Sequence, residues 1–271
     1  MLNIVDLKTH HNFFKTPGIQ FSVSSRKISP EISIIDYLKI FYMYTDFRMI
    51  DSVFGNTVTF SKLYGGRPFK TIRSLTDNHI RELDNNGIGL ALTLTSHFFD
   101  EKAYIESQSL LKTNHKKGNS IICTNDELAA HIKNDFPDYI VKASIIKNIN
   151  TIKKVNNALL IYDYVTLPMD KNDDDIFLKK INEKDRIILF GNASCAYTCP
   201  ARTCYKGFSE KMSGKEITSV CSKKNKIARL DMGEVFFDIK KLKNMGFNNF
   251  KLVPLAPDSA QKVTIYLKNR K

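Results

Sequence analysis

The sequence predicts an α/β protein folded as a (β/α)8 TIM-like barrel, a single domain with an N-terminal helical lead-in. Three observations lead there. Eight short apolar, β-branched runs recur between residues 47 and 255, the composition of strands buried on both faces. Helical patterns separate most of them, as in parallel βαβ units. The length also fits, since a closed barrel of this kind takes roughly 200–250 residues. An open doubly wound sheet is the competitor, but no GxGxxG follows the first strand, which weakens a dinucleotide-binding reading.

The elements follow in chain order. Residues 1–46 read as the lead-in and 47–271 as the barrel domain. Within the lead-in, Ser29 reads as an N-cap with Pro30 at the first helical position, and Ile32, Ile35, Leu38 and Tyr42 follow at helical spacing. The strand runs are 47–55, 88–96, 119–124, 139–146, 158–167, 186–192, 227–236 and 250–255. Between them, 69–87 places Ile72, Leu75, Ile80 and Leu83 on one helical face and ends at a glycine. Asn125 caps a helix with acids in its first turn, the run 172–176 (NDDDI) is an acidic helix start, and a helix over 238–247 stops at Gly246.

A barrel does its chemistry at the C-terminal ends of its strands and in the loops that follow. This rule selects Arg67 in YGGRP, His97 after the 88–96 run and Asp163 in the 158–167 run as catalytic candidates. Arg67 is a substrate-anion contact beside two glycines, or else part of a tight turn. His97 is an acid–base group, or an exposed loop histidine. Asp163 holds a substrate hydroxyl or amine, or is simply paired within a strand.

The densest signal is CAYTCPARTC, directly after the 186–192 strand. Cys195, Cys199 and Cys204 fall inside it and Cys221 lies further on, in a C-x3-C-x4-C-x16-C pattern. Four thiolates suit a tetrahedral zinc or a [4Fe–4S] cluster, and the absence of paired C-x2-C knuckles favours iron–sulfur. Cys195, Cys199, Cys204 and Cys221 are thus the candidate ligands, with zinc as the alternative metal. The spacing and the late position both differ from the C-x3-C-x2-C of radical-SAM enzymes. Cys123, in the apolar run SIICT, reads as core.

The chain carries 41 Lys and Arg against 28 Asp and Glu, a net charge of +13. That balance points to a nucleic-acid partner, or to the codon usage that enriches Lys, Asn and Ile together. The polar N-terminus does not read as a secretory leader, and no run of 18 apolar residues exists. A soluble cytoplasmic protein with reduced thiols and no membrane partner is therefore expected.

The segments CPARTCY and LKNMGFNNFKLVPL together resemble small barrel proteins related to the collagenase-like peptidases, family thirty-two of unknown catalytic type (peptidase U-32-like). The matching positions are Cys199, Arg202 and Tyr205, then Gly246, Phe247, Phe250, Lys251 and Leu252. IDSVFG with YGGR, and NGIGLALTLTS, are similar to the small relatives' first two strands, so the resemblance touches about residues 48–255. It implies a TIM-like barrel and, in several members, a four-cysteine [4Fe–4S] cluster supporting oxygen-independent hydroxylation of RNA bases or quinone precursors. The substrate it implies is a small molecule or nucleobase. The usual Gly-Arg after the last strand is Pro254-Leu255 here, and the longer members' C-terminal substrate domain has no counterpart. A redox or modifying enzyme is the first expectation. A zinc-stabilised, non-enzymatic barrel that binds nucleic acid or a protein is the second. Proteolysis is third, because no Ser/His/Asp or HExxH pattern supports it.

Overall fold

A computed structural model of the chain describes residues 18–42, 45–65, 74–193, 196–197, 199, 204–217 and 236–254. Eight parallel strands follow one another in sequence order and close into a barrel. They are β1 (Gln20–Ser24), β2 (Ile50–Gly55), β3 (Gly89–Leu94), β4 (Ser120–Cys123), β5 (Ile140–Ala143), β6 (Tyr164–Thr166), β7 (Ile187–Phe190) and β8 (Asn249–Leu252). The helices are α1 (Ile34–Phe41), α2 (Asp77–Asn85), α3 (Glu101–Glu106), α4 (Gln108–Thr113), α5 (Asp126–Asp135), α6 (Ile152–Leu159), α7 (Asp175–Lys179), α8 (Cys204–Met212) and α9 (Ile239–Asn244). Among the described residues, no helix is long and apolar enough to cross a membrane.

Local chemistry explains most boundaries. Side chains of Ser33, Thr76, Asn125, Thr151 and Asp238 accept backbone N–H bonds at the starts of α1, α2, α5, α6 and α9, satisfying donors a helix leaves open. Gly87 and Gly246 follow α2 and α9 with φ of 65° and 101°, a left-handed turn that glycine makes without steric cost.

Four expectations are corrected. The barrel begins inside the stretch read as a lead-in. β1 pairs with β2 on one side and with β8 on the other, so it closes the cylinder. Its sequence, QFSVS, alternates polar and apolar residues, which hid it among runs chosen for continuous apolarity. The 227–236 run supplies no barrel strand, because β7 pairs directly with β8. Of that run only Phe236 is described, and it makes an antiparallel bridge to Asn192. The 158–167 run divides instead: 158 and 159 end α6, and the strand starts at Tyr164. The apolar character was read correctly, but a short apolar run does not by itself separate helix from strand. The lead-in helix also starts at Ile34 with Ser33 as its cap, not at Ser29.

Strand alternation sorts side chains into two layers. Phe21, Val23, Leu90, Leu92, Val141 and Leu189 face outward into the apolar layer beneath the helices and are all 1% exposed or less. The opposite phase fills the barrel itself, and it is polar for a barrel interior. Ser52 donates to Ser22 at 2.9 Å. Lys251 and Lys142 stand over the rings of Phe54 and Tyr164, at 4.5 and 5.8 Å from the ring centroids. The hydroxyls of Ser120 and Thr166 are buried without a hydrogen-bond partner among the described residues. Among the described residues, only Phe54, Ala91 and Ile122 form an apolar patch separate from the outer layer.

The register slips between Phe21 and Ser22, so that Ile50 and Ser52 both find partners while Asp51 is the extra residue. Such a bulge re-aims the inserted side chain. Asp51 accordingly lines a cavity of about 70 Å³ at the N-terminal end of the barrel, together with Gln20, Ser22, Lys142, Tyr164 and Asn249. Its carboxylate lies 3.8 Å from Lys142 Nζ.

Candidate active site

The C-terminal mouth of the barrel is organised by a hydroxyl on α8. Ser209 Oγ is fully buried. It donates to the carbonyl of Gly65 at 2.8 Å, accepts from the His97 backbone N–H at 3.2 Å and lies 2.9 Å from His97 Nδ1. Three chain segments therefore meet at one atom: the turn after β2, the loop after β3 and the helix that follows the cysteine stretch after β7. Lys215, just past α8, stacks its ammonium on Phe98 at 3.8 Å from the ring centroid, so the helix is pinned to the β3 loop twice.

His97 is half-buried, and burial is the main cause that lowers its pKa below 6.5. The Lys206 and Lys147 ammonium groups push the same way, while the Glu210 carboxylate opposes them. The imidazole is therefore neutral at neutral pH. Glu210 is held under the helix with Lys206 Nζ 3.8 Å away.

Gly65 is required by close approach. A Cβ there would lie 2.7 Å from both the Cα and Cβ of Ser96. Gly65→Ala is expected to cost about 1–3 kcal/mol by overpacking, and to separate the Gly65 carbonyl from Ser209. Thermal unfolding of the variant checks this, and an unchanged Tm refutes it.

The cysteine stretch is tied down on its other side too. Tyr197 donates to Asp173 at 2.6 Å and packs edge-on against Phe237 at 5.5 Å. That carboxylate bond is also the main cause raising the Tyr197 pKa. Asn192 bridges the end of β7 to the chain after β8, donating to Val253 O at 2.8 Å and accepting from Val253 N at 2.9 Å. Cys199 is buried and Cys204 is the half-buried first residue of α8.

Of the residues selected from sequence, His97, Cys199 and Cys204 all belong to segments that follow strands at the mouth. Arg67, Cys195 and Cys221 lie outside the described residues. Asp163 belongs to the opposite end. It precedes β6, accepts from Val141 N at 2.7 Å and pairs with Lys133 Nζ at 2.7 Å. It fastens the start of β6 to β5 and α5, and this corrects its expected place in the pocket. Burial accounts for Cys123, whose thiol is pushed up to about 12 on the outer face of β4. Among the described residues, no three His, Cys, Asp or Glu side chains converge as a metal site, a set that includes only two of the four proposed thiolate ligands.

Sequence reasoning missed Ser209 and Glu210, whose helix gave no signal of its own. It carried Lys251 only through the resemblance. A lysine in the middle of the apolar strand FKL was the available sign that one strand face meets a polar interior. A cleft of about 350 Å³ lies between α2 and α4, lined by Asp77, Arg81, Asp84 and Lys116 and by Thr57 and Thr59 of the loop after β2.

No family model matches the chain, and no curated protein matches it. Among solved structures, the U32 peptidase Mk0906 superposes with a TM-score of 0.57 at 12% identity, over 90% of this chain and 96% of that one. The chain thus shares, over nearly its whole length, the closed eight-stranded barrel of a U32 peptidase, a likeness of fold.

Proposed function

We propose that this barrel is a redox or oxygen-independent modifying enzyme. In this reading Cys195, Cys199, Cys204 and Cys221 hold a [4Fe–4S] cluster at the mouth, and a small molecule or nucleobase binds beside it. The observation that carries the reading is the anchoring of the cysteine stretch. It leaves β7 at the catalytic end of the barrel, and α8, which Cys204 begins, is bonded through Ser209 to His97 and Gly65. The donors fit the group in two respects. Cys199 is buried, shielded from water as a cluster ligand is. Cys204 heads a nine-residue helix, whose N-terminal partial charge favours a thiolate. A bound cluster supplies one-electron transfer. The protein's own contribution is a neutral imidazole at His97 able to accept a substrate proton, with Lys147 and Lys206 adding positive charge nearby. The net charge of +13 supports a nucleobase carried in RNA over an isolated one.

Hydrolysis by Ser209 does not fit the geometry. Its hydroxyl is fully buried and gives its proton to a backbone carbonyl, whereas a serine nucleophile is exposed and gives its proton to the imidazole.

Protein purified without oxygen is expected to be brown, with about four iron and four acid-labile sulfide per chain. Cys199→Ser is expected to lose both without a change in the far-ultraviolet spectrum. A colourless anaerobic preparation holding stoichiometric zinc overturns the cluster.

A further inference from the structure

We infer that Ser209 is a positioning residue that holds His97 in the Nδ1–H tautomer, so that Nε2 carries the lone pair and is the proton-accepting atom of the site. The argument is a count of protons at one buried oxygen. Ser209 Oγ has a single proton to give. Two carbonyl oxygens are in reach, Gly65 O at 2.8 Å and Tyr205 O at 3.2 Å. The Gly65 carbonyl is buried and has no other hydrogen-bond partner among the described residues. Leaving it unsatisfied costs a desolvation penalty that a neutral hydrogen bond elsewhere does not repay. The serine proton therefore goes to Gly65.

With that proton committed, the 2.9 Å contact between Ser209 Oγ and His97 Nδ1 is favourable only if the imidazole donates. In the other tautomer two lone pairs would face each other, or the serine would turn and orphan Gly65. The His97 backbone N–H, which also donates to Ser209 Oγ at 3.2 Å, keeps the ring's attachment point fixed. The side chains of Lys206, Lys147 and Glu210 are the charged groups that act on the ring. None of them competes for Nδ1, which the serine occupies. The same hydroxyl thus sets which ring nitrogen is basic, as a second partner does for histidines in many sites.

The use of Nε2 in turnover rests on the function proposed above; the tautomer does not. The test is therefore spectroscopic. Long-range 15N–1H correlation spectra of 15N-histidine-labelled protein, taken above the pKa of the ring, report which nitrogen of His97 carries the proton. The wild type is expected to show Nδ1 protonated and Nε2 bare. Ser209→Ala is expected to move the majority of the population to the Nε2–H form, which free imidazole side chains favour in water, and Ser209→Thr to restore the wild-type pattern. A wild-type spectrum with Nε2 protonated overturns the inference. So does an unchanged tautomer in a folded Ser209→Ala protein. Should Ser209→Ala fail to fold, the wild-type spectrum decides alone. Iron content is read on the same samples. A missing cluster with the Nδ1–H form intact defeats the proposed function and leaves this inference standing, and the reverse result defeats this inference alone.

Discussion

A chain that begins at residue 47 is expected not to fold. The reasoning starts from β1, which pairs with both β2 and β8. Removing it opens the cylinder and leaves two strands with unpaired N–H and C=O groups along one side each, a template for aggregation. The loss of apolar contact is as serious. Ile19, Phe21 and Val23 are buried in the outer layer, and Phe21 meets Phe250 of β8 with ring centroids 6.1 Å apart. Tyr37 of α1 and Tyr42, the residue that ends it, both donate to the Ser24 carbonyl, at 2.5 and 2.7 Å, so the packing of helix on strand is lost as well. The shortened chain is expected to show no cooperative thermal transition. Phe21→Ala in the full chain supplies the graded version, at about 3–5 kcal/mol for a buried phenylalanine. For a chain of this size that lowers Tm by roughly 10 °C. A shortened chain with a native circular-dichroism spectrum and a sharp melt would return the domain boundary to 47 and refute closure through β1.

Lys142→Met is expected to destabilise the protein by about 2–4 kcal/mol at neutral pH, because it leaves Asp51 charged in the barrel without its counter-ion. Burial is the main cause raising the Asp51 pKa above its ordinary 3.8, and the Lys142 ammonium works against that rise. The sign follows from proton counting. Between 3.8 and the raised folded value, the folded state binds more protons than the unfolded one, so stability falls as pH rises through that window. Taking away the lysine removes the opposing cause and raises the carboxyl further. The cost of Lys142→Met should therefore shrink as pH falls and Asp51 takes up a proton. Asp51→Asn should abolish its share of the slope, and the double variant should recover most of the loss. Urea unfolding from about pH 4 to about pH 8 measures all four proteins. A cost for Lys142→Met that stays constant across this range defeats the account.

The cysteine stretch shows how far local pattern reaches. Its position after a β-branched run, with the barrel rule that loops after strands are catalytic, was enough to put it at the mouth. The run itself became β7. The cap at Asn125 and the stop at Gly246 were legible for the same reason: each concerns a few adjacent residues and one or two hydrogen bonds. Asp163 shows the limit. A polar residue in an apolar run looks the same whether it enters the strand or leaves it, and here it enters, so its carboxylate pins β5 to β6 at the far end from the mouth.

What the sequence by itself determined was the class of fold, the apolar runs that build it and the loop on which the sulfur lies, because hydrophobic period and capping are properties of neighbours along the chain. The tertiary structure alone decided which run closes the barrel, that a bulge turns Asp51 inward, and that Ser209 meets His97 across 112 residues. Those outcomes depend on strand register and on hydrogen bonds between segments far apart in sequence, where no local period carries the information.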